Sequence, residues 1–156
     1  MTKTTEKNIL KNLTEKQRQE YIEAKIAIKL DEAKKKTSGD FLNFVKHMWP
    51  DFINGRHHRI IADKFNKLAE GKIDRLIVNM PPRHTKSEFA SYLLPSWMVG
   101  REPKLKIIQT THNAELAVRF GRKAKNLIDS DDYQKIFKTT LQEDSKAAGR
   151  WETSQG

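Results

Sequence analysis

The stretch NMPPRHTKSEFA, residues Asn79–Ala90, places a Lys-Ser pair between a proline turn and a helical pattern. Just upstream, residues 73–79 (IDRLIVN) are rich in branched apolar side chains and predict a buried strand. Downstream, apolar residues recur at helical spacing over 88–99, where Pro95 is expected to kink or end the helix. Strand, tight turn, Lys-Ser and helix is the order found in phosphate-binding loops.

The loop departs from the usual phosphate-loop spelling, G-x-x-x-x-G-K-[ST], because Met80 and Thr85 occupy the two glycine positions. A phosphate site needs converging backbone N–H groups and a helix N-terminus rather than glycine as such. Pro81 and Pro82 have a fixed φ and can preset the turn. Thr85 is the least favourable residue, since its β-branched side chain resists positive φ.

Each residue type in the loop has a predicted role toward ATP and Mg²⁺. Lys86 supplies a point charge for the β- and γ-phosphates, and Arg83 a second cation that can reach the γ-phosphate. The Ser87 hydroxyl is the predicted Mg²⁺ ligand. The alternative is a proline turn that caps an ordinary helix and leaves Lys86 solvated. The predicted cofactor-binding residues of the loop are Pro82, Arg83, His84, Thr85, Lys86 and Ser87.

The composition indicates a polyanionic partner. The chain has 156 residues, with 30 Lys+Arg against 20 Asp+Glu and a formal net charge of +10. Such a basic excess suits nucleic acid or phosphate, although it also serves as a solubilising surface. The absence of cysteine excludes disulfides and thiolate metal sites. No signal-peptide pattern and no apolar run of about 20 residues is present, so we expect a soluble intracellular protein.

The remaining pattern predicts an α/β chain. A charged helix over 7–36 forms an N-terminal arm, 1–39, and the domain proper is 40–156. Strands alternating with helices predict a parallel sheet. The other predicted elements are helices over 40–49, 56–70 and 113–128 and a second strand over 104–110 (KLKIIQT).

One face of the helix over 113–128 is basic. Arg119, Arg122 and Lys123 lie together on it and are candidate contacts for a DNA backbone. The alternative is an ordinary solvated basic face.

Four blocks together resemble the large terminase subunit of tailed bacteriophages, the ATP-driven motor that pumps DNA into a procapsid. They are HHRIIADKF, GKIDRLIVNMPPRHTKSEFASYLLPSWMVGREP, NAELAVRFGRKAKNLI and AAGRWETSQG. The resemblance covers about 41–156, and PPRHTKS matches that family's variant of Walker A. It implies a partial RecA-like (ASCE) ATPase core, with Arg83 and Lys86 as catalytic triphosphate ligands and Ser87 as the Mg²⁺ ligand. It also implies adenine contacts by His57 and His58, for which surface or capping use is an equal alternative.

The same resemblance implies partners and a location. The partners are double-stranded DNA, a portal protein and a small terminase subunit. The full-length parent would form a homo-oligomeric ring and would act in the host cytoplasm during virion assembly. The only candidate for a Walker B strand in this sequence is 126–132 (NLIDSDD), and it has too few apolar residues before its first aspartate. We therefore expect that strand beyond Gly156 and little ATP turnover by this chain alone. The alternative functions are a helicase-type nucleic-acid ATPase fragment and a non-catalytic basic module that binds DNA or a capsid component.

Overall fold

The structure, a computed structural model, describes residues 13–146 and 151–155, and the side chains of 13–142 and 151–155. The chain divides into two compact units, 1–35 and 36–156. Helix α1, Glu15–Gly39, runs through that division. The first residues of the predicted arm helix, 7–12, lie outside the described part.

Helix α1 buries none of its residues. Its large apolar side chains Ile22, Ile26 and Leu30 are all exposed. Charged side chains are frequent along the helix and include an i,i+4 ion pair between Asp31 and Lys35, a spacing that supports an isolated helix weakly. Within the described residues, no helix has the length and apolar character that crossing a bilayer requires.

The predicted helices of the second unit are confirmed. Their ends follow local signals: Asn113 Oδ1 accepts from Leu116 N–H at 2.8 Å, and Gly71 has a φ of 67° just after a helix end. Such side-chain N-caps and left-handed glycines satisfy polar groups that a helix end leaves open. The helices are α2 (Phe41–Met48), α3 (Arg56–Ala69), α4 (Lys86–Glu88), α5 (Leu94–Arg101), α6 (Ala114–Ile128) and α7 (Asp131–Ile136).

A π-turn, Phe89–Leu93, joins α4 to α5. Leu94 N–H donates to Phe89 O, five residues back. Pro95 has no N–H, and its ring would crowd the carbonyl four residues before it in a regular helix. The wider turn avoids this crowding, so Pro95 produces a π-turn and the helical run continues from Lys86 to Arg101.

Aromatic side chains from different helices pack together in the core, beside aliphatic ones. The Phe41 ring packs edge-on against Phe65 at 5.2 Å, Phe89 at 5.4 Å and Trp97 at 5.5 Å between ring centres. Phe41 and Trp97 are fully buried, and such T-shaped pairs stabilise beyond the area they bury. The core thus fixes α2, α3 and the 86–101 run against one another.

A short polar network supports the same junction. Asp40 caps α2 by accepting from Asn43 N–H at 2.8 Å. Its second oxygen accepts from Asn66 Nδ2 at 2.8 Å, and Asn66 Oδ1 accepts from Phe41 N–H at 2.9 Å. One aspartate therefore joins the start of α2 to the side of α3.

The predicted parallel sheet and RecA-like core are wrong. In the described residues the chain is mostly helical, and its sheet has two antiparallel strands. Residues 73–79 and 104–110 form no strand, and Ile77 and Ile108 are 86% and 91% exposed. A β-strand requires backbone hydrogen bonds to a neighbouring strand, and within the described residues neither segment has a strand beside it.

The observed sheet is a pair, β1 (Leu141–Lys146) and β2 (Trp151–Thr153), with Leu141 opposite Thr153. Two side chains of β2 attach it to α6 and to the turn that follows α5. Trp151 Nε1 donates to Gly121 O at 3.1 Å, and Thr153 Oγ1 donates to Pro103 O at 2.9 Å.

Candidate phosphate-binding loop

The loop between residues 80 and 86 contains two left-handed residues. Arg83 has a φ of 64° and Thr85 a φ of 60°, and they are the only non-glycine residues with positive φ among those that the structure describes. Left-handed backbone is costly for a β-branched residue such as threonine. Strained conformations of this kind cluster at functional sites, because the surrounding structure must hold them.

The helix that follows the loop begins with free N–H groups. Phe89 N–H donates to Thr85 O at 3.0 Å, which is the first bond of the helical run. The N–H groups of Lys86, Ser87 and Glu88 come before it and have no intrahelical acceptor. These groups and the positive end of the helix dipole form the kind of surface that binds an anion.

The loop side chains that were predicted to bind phosphate are accessible. Arg83, Lys86 and Ser87 are exposed, and in the described part of the chain they have no hydrogen-bond or ion-pair partner. The His84 ring is turned back onto the loop, where Nδ1–H donates to Pro82 O at 2.9 Å. The loop therefore has two exposed cations and an exposed hydroxyl.

Thr85 is held by a residue from the start of α3. His58 is 5% exposed, and its Nε2 lies 2.7 Å from Thr85 Oγ1. Gly55 N–H donates to His58 Nδ1 at 2.9 Å, so Nδ1 is an acceptor and Nε2 carries the proton. Thr85 Oγ1 in turn donates to His84 O at 2.6 Å.

The His58 ring lies among other rings. The ring centres of Phe52 and Phe89 are 4.7 Å and 5.1 Å away, and that of His57 is 3.8 Å away. His84 is 5.7 Å from His57. Burial lowers the pKa of His58 below its usual value, and the nearby charges that His57 and His84 can carry lower it further.

A second contact joins α4, the helix that begins at the end of the loop, to α6. Lys123 Nζ lies 3.1 Å from Glu88 Oε2 and 5.0 Å from the centre of the Tyr92 ring. Burial, and to a lesser extent Glu88, raises the pKa of Tyr92 to about 12. The carboxylate beside Ser87 is thus neutralised by a lysine from another helix.

The predicted site residues fall into three groups. The loop residues and the histidines of α3 lie together, since His58 contacts Thr85 and His57 contacts His84. Arg119 and Arg122 are exposed on α6, whereas Lys123, predicted as their DNA-binding neighbour, is held by Glu88. The strand expected behind the loop is not formed.

The residues present fit the triphosphate better than they fit the metal. Free N–H groups and two exposed cations suit phosphate oxygens. For Mg²⁺ the loop offers the Ser87 hydroxyl, and the described residues contain no group of three or more His, Cys, Asp or Glu able to hold a metal ion. Protein-bound Mg²⁺ usually keeps several waters and is held by one or two carboxylates together with phosphate oxygens, and of these ligands the loop supplies only a hydroxyl.

Sequence reasoning missed the two contacts that fix the loop. His58 and Thr85 are separated by 27 residues and Glu88 and Lys123 by 35, and no local pattern reports pairs so far apart. A signal was available only for the capping role of His58, three residues after Gly55, at the helix position whose side chain reaches back to the N-cap.

Comparison with known proteins gives no relative: no family model matches the sequence, and no curated protein and no solved structure matches the chain.

Proposed function

We propose that the loop Pro81–Ser87 binds the triphosphate of ATP together with Mg²⁺, as the ATP-binding part of a viral DNA-packaging motor like the large terminase subunit. The observation that carries the proposal is the pair of left-handed residues, Arg83 and Thr85, directly before a helix start with free N–H groups. Such backbone is costly for residues other than glycine, and strained residues of this kind cluster at functional sites.

In the proposed complex, the N–H groups of Lys86, Ser87 and Glu88 bind phosphate oxygens at the helix N-terminus. The Lys86 ammonium neutralises the β- and γ-phosphates, and the Arg83 guanidinium reaches the γ-phosphate, where bidentate bonds are available to it. Ser87 contributes its hydroxyl to Mg²⁺, which supplies further charge neutralisation when bound.

The proposed site does not require a parallel sheet. Its N–H groups, cations and hydroxyl all belong to the loop and the first turn of the 86–101 run, and the histidine-bearing α3 supports them. The aromatic core fixes α3 against the same run through Phe65, Phe41 and Phe89. The loop is therefore supported on both sides by helices.

The second candidate is a basic module that binds DNA without catalysis. It is favoured by Arg119 and Arg122, which are exposed on one side of α6, and by the net charge of +10. Phosphate contacts from such residues give sequence-independent affinity that falls with salt. In the packaging-motor proposal the same face binds the DNA that is moved, so the two candidates differ only in whether the loop binds nucleotide.

Binding of trinitrophenyl-ATP in the presence of Mg²⁺ tests the proposal. We expect saturable binding that Lys86→Ala weakens by at least about tenfold, the effect of losing one charge-assisted contact. Lys46→Ala is the matched control, since it removes one exposed lysine from α2. Equal effects of the two substitutions, or no saturable binding, would favour the basic module.

A further inference from the structure

We propose that His58 is a positioning residue for the phosphate loop: its neutral imidazole, bonded to Thr85 Oγ1, holds the left-handed turn that glycine supplies in other phosphate loops. The inference rests on the proposed function, and assigns His58 a role distinct from the adenine contact expected from the sequence.

The bonding around His58 supports a fixed role. Nδ1 accepts from Gly55 N–H and Nε2–H donates to Thr85 Oγ1, so neither ring nitrogen is available to another group. The ring is also fixed on its sides by Phe52 and Phe89. A ring held in this way is a rigid anchor, whereas a ligand-binding ring needs a free nitrogen or an open face.

The hydrogen bond from His58 is made to Thr85, the β-branched residue with left-handed backbone. Thr85 has a φ of 60° and ψ of 10°, a conformation that glycine adopts without steric cost and threonine does not. Oγ1 is held from both sides, as an acceptor from His58 and a donor to His84 O. These two bonds hold the Thr85 side chain, and with it the left-handed residue directly before Lys86.

The neighbouring glycine is part of the same arrangement. A Cβ at Gly55 would lie 2.9 Å from His57 Cε1 and 3.4 Å from His58 Nδ1. A side chain at this position would displace the His57 ring, whose centre lies 3.8 Å from that of His58. Gly55 therefore leaves room for the ring that packs beside His58.

A double-mutant cycle tests the role. His58→Phe keeps the ring contacts and removes both hydrogen bonds, while Thr85→Gly removes the need for the anchor. In the Thr85 background we expect His58→Phe to weaken Mg²⁺-dependent trinitrophenyl-ATP binding about 5- to 30-fold, the cost of left-handed backbone at a non-glycine residue. In the Thr85→Gly background the same substitution should change affinity by less than about threefold.

Rescue by a conservative variant separates positioning from a general loss of packing. His58→Gln retains an N–H donor near the position of Nε2 and should bind nucleotide more tightly than His58→Phe. Equal losses from His58→Phe in both backgrounds, or no improvement with His58→Gln, would overturn the proposal.

A measurement without nucleotide distinguishes this proposal from the proposed function. Backbone amide NMR signals of residues 83–87 should shift in His58→Phe, because the turn is released. If the wild-type chain binds no trinitrophenyl-ATP and these signals shift, the proposed function fails and the anchoring of the turn stands. If wild type binds and His58→Phe leaves these signals unchanged, the anchor fails and the proposed function stands.

Discussion

Lys123 Nζ on α6 lies 3.1 Å from Glu88 Oε2, one residue after the loop serine Ser87. The pair is half-exposed, with 38% and 34% of the two side chains accessible, and the ammonium also lies over the Tyr92 ring. This contact ties the helix that bears the exposed arginines to the helix that begins at the phosphate loop. A basic residue predicted for DNA binding thus takes part in holding the fold.

Loss of this ion pair should have a small effect on stability. Lys123→Met keeps much of the aliphatic chain and removes the charge, and we expect a loss of about 0.5–1 kcal/mol in the free energy of unfolding, because solvent screens the pair. Urea denaturation measures it. Arg119→Met, at an exposed position of the same helix, is the control and should change stability less. An equal or larger loss in the control would mean that the pair adds nothing.

Removal of Arg119 and Arg122 should reduce the salt dependence of DNA binding. Each phosphate contact contributes about 0.9 to the slope of log K against log salt, so Arg119→Ala with Arg122→Ala should lower the slope by about 1.8. Lys123→Ala should leave the slope nearly unchanged, since Glu88 holds its ammonium. Fluorescence anisotropy with duplexes of two unrelated sequences checks this. An unchanged slope for the arginine variant would assign these residues to a solvated face.

Gly100→Ala should destabilise the second unit strongly. A Cβ there would lie 2.5 Å from Phe137 Cδ2 and 2.6 Å from the Tyr133 hydroxyl oxygen. Tyr133 is fully buried and its hydroxyl donates to Ser96 O at 2.7 Å, so it cannot retreat without losing that bond. We expect a loss of about 1–3 kcal/mol, typical of overpacking.

Gly39→Ala is the control for this prediction. Nothing lies within 4 Å of a Cβ at that position, and alanine has the higher helix propensity. Thermal unfolding should show a marked fall in melting temperature for Gly100→Ala and none for Gly39→Ala. Similar melting temperatures for both variants would contradict the close packing at Gly100.

Stability should fall as the pH drops through the range of histidine. The pKa of His58 is lowered from its usual 6.5, so the unfolded chain binds a proton that the folded chain does not. The stabilisation is fully present above pH 6.5 and declines below it, by at most about 1.4 kcal/mol per pH unit. The titratable groups that act on the pKa of His58 are the His57 and His84 side chains.

Denaturation at several pH values between about 5.5 and 7.5, above the usual carboxylate range, checks this. His58→Phe removes the group with the lowered pKa and should flatten the pH dependence of the free energy of unfolding. If the free energy of unfolding has the same slope against pH in the wild type and in His58→Phe, then the pKa of His58 is the same in the folded and the unfolded chain.

The chain alone should hydrolyse ATP very slowly. Hydrolysis requires a carboxylate that orients the attacking water in addition to the triphosphate cradle. Glu88, the carboxylate next to Ser87, is paired with Lys123. We expect Mg²⁺-dependent phosphate release far below about 1 s⁻¹, the low end for working enzymes. Turnover near that rate that is lost in Lys86→Ala would reveal a catalytic carboxylate within this chain.

The sequence by itself determined the helices and their ends. Asn113, Gly71 and Ser130 act within a few residues of their own position, and each lies at a helix end. It also determined the proline-built loop and its cations, because residue type and order alone specify them. Helix caps and turns depend on residues that are close together in the sequence, so they can be predicted from it.

Only the tertiary structure decided the strands and the turn. Branched apolar residues at 73–79 and 104–110 suit a strand, yet strand formation depends on a neighbour far away in sequence, and the described residues supply none. At Thr85 the sequence argued against positive φ, and a histidine 27 residues away provides the bond that accompanies it. The physical reason is the same in both cases: the energy that selects the backbone comes from contacts distant along the chain.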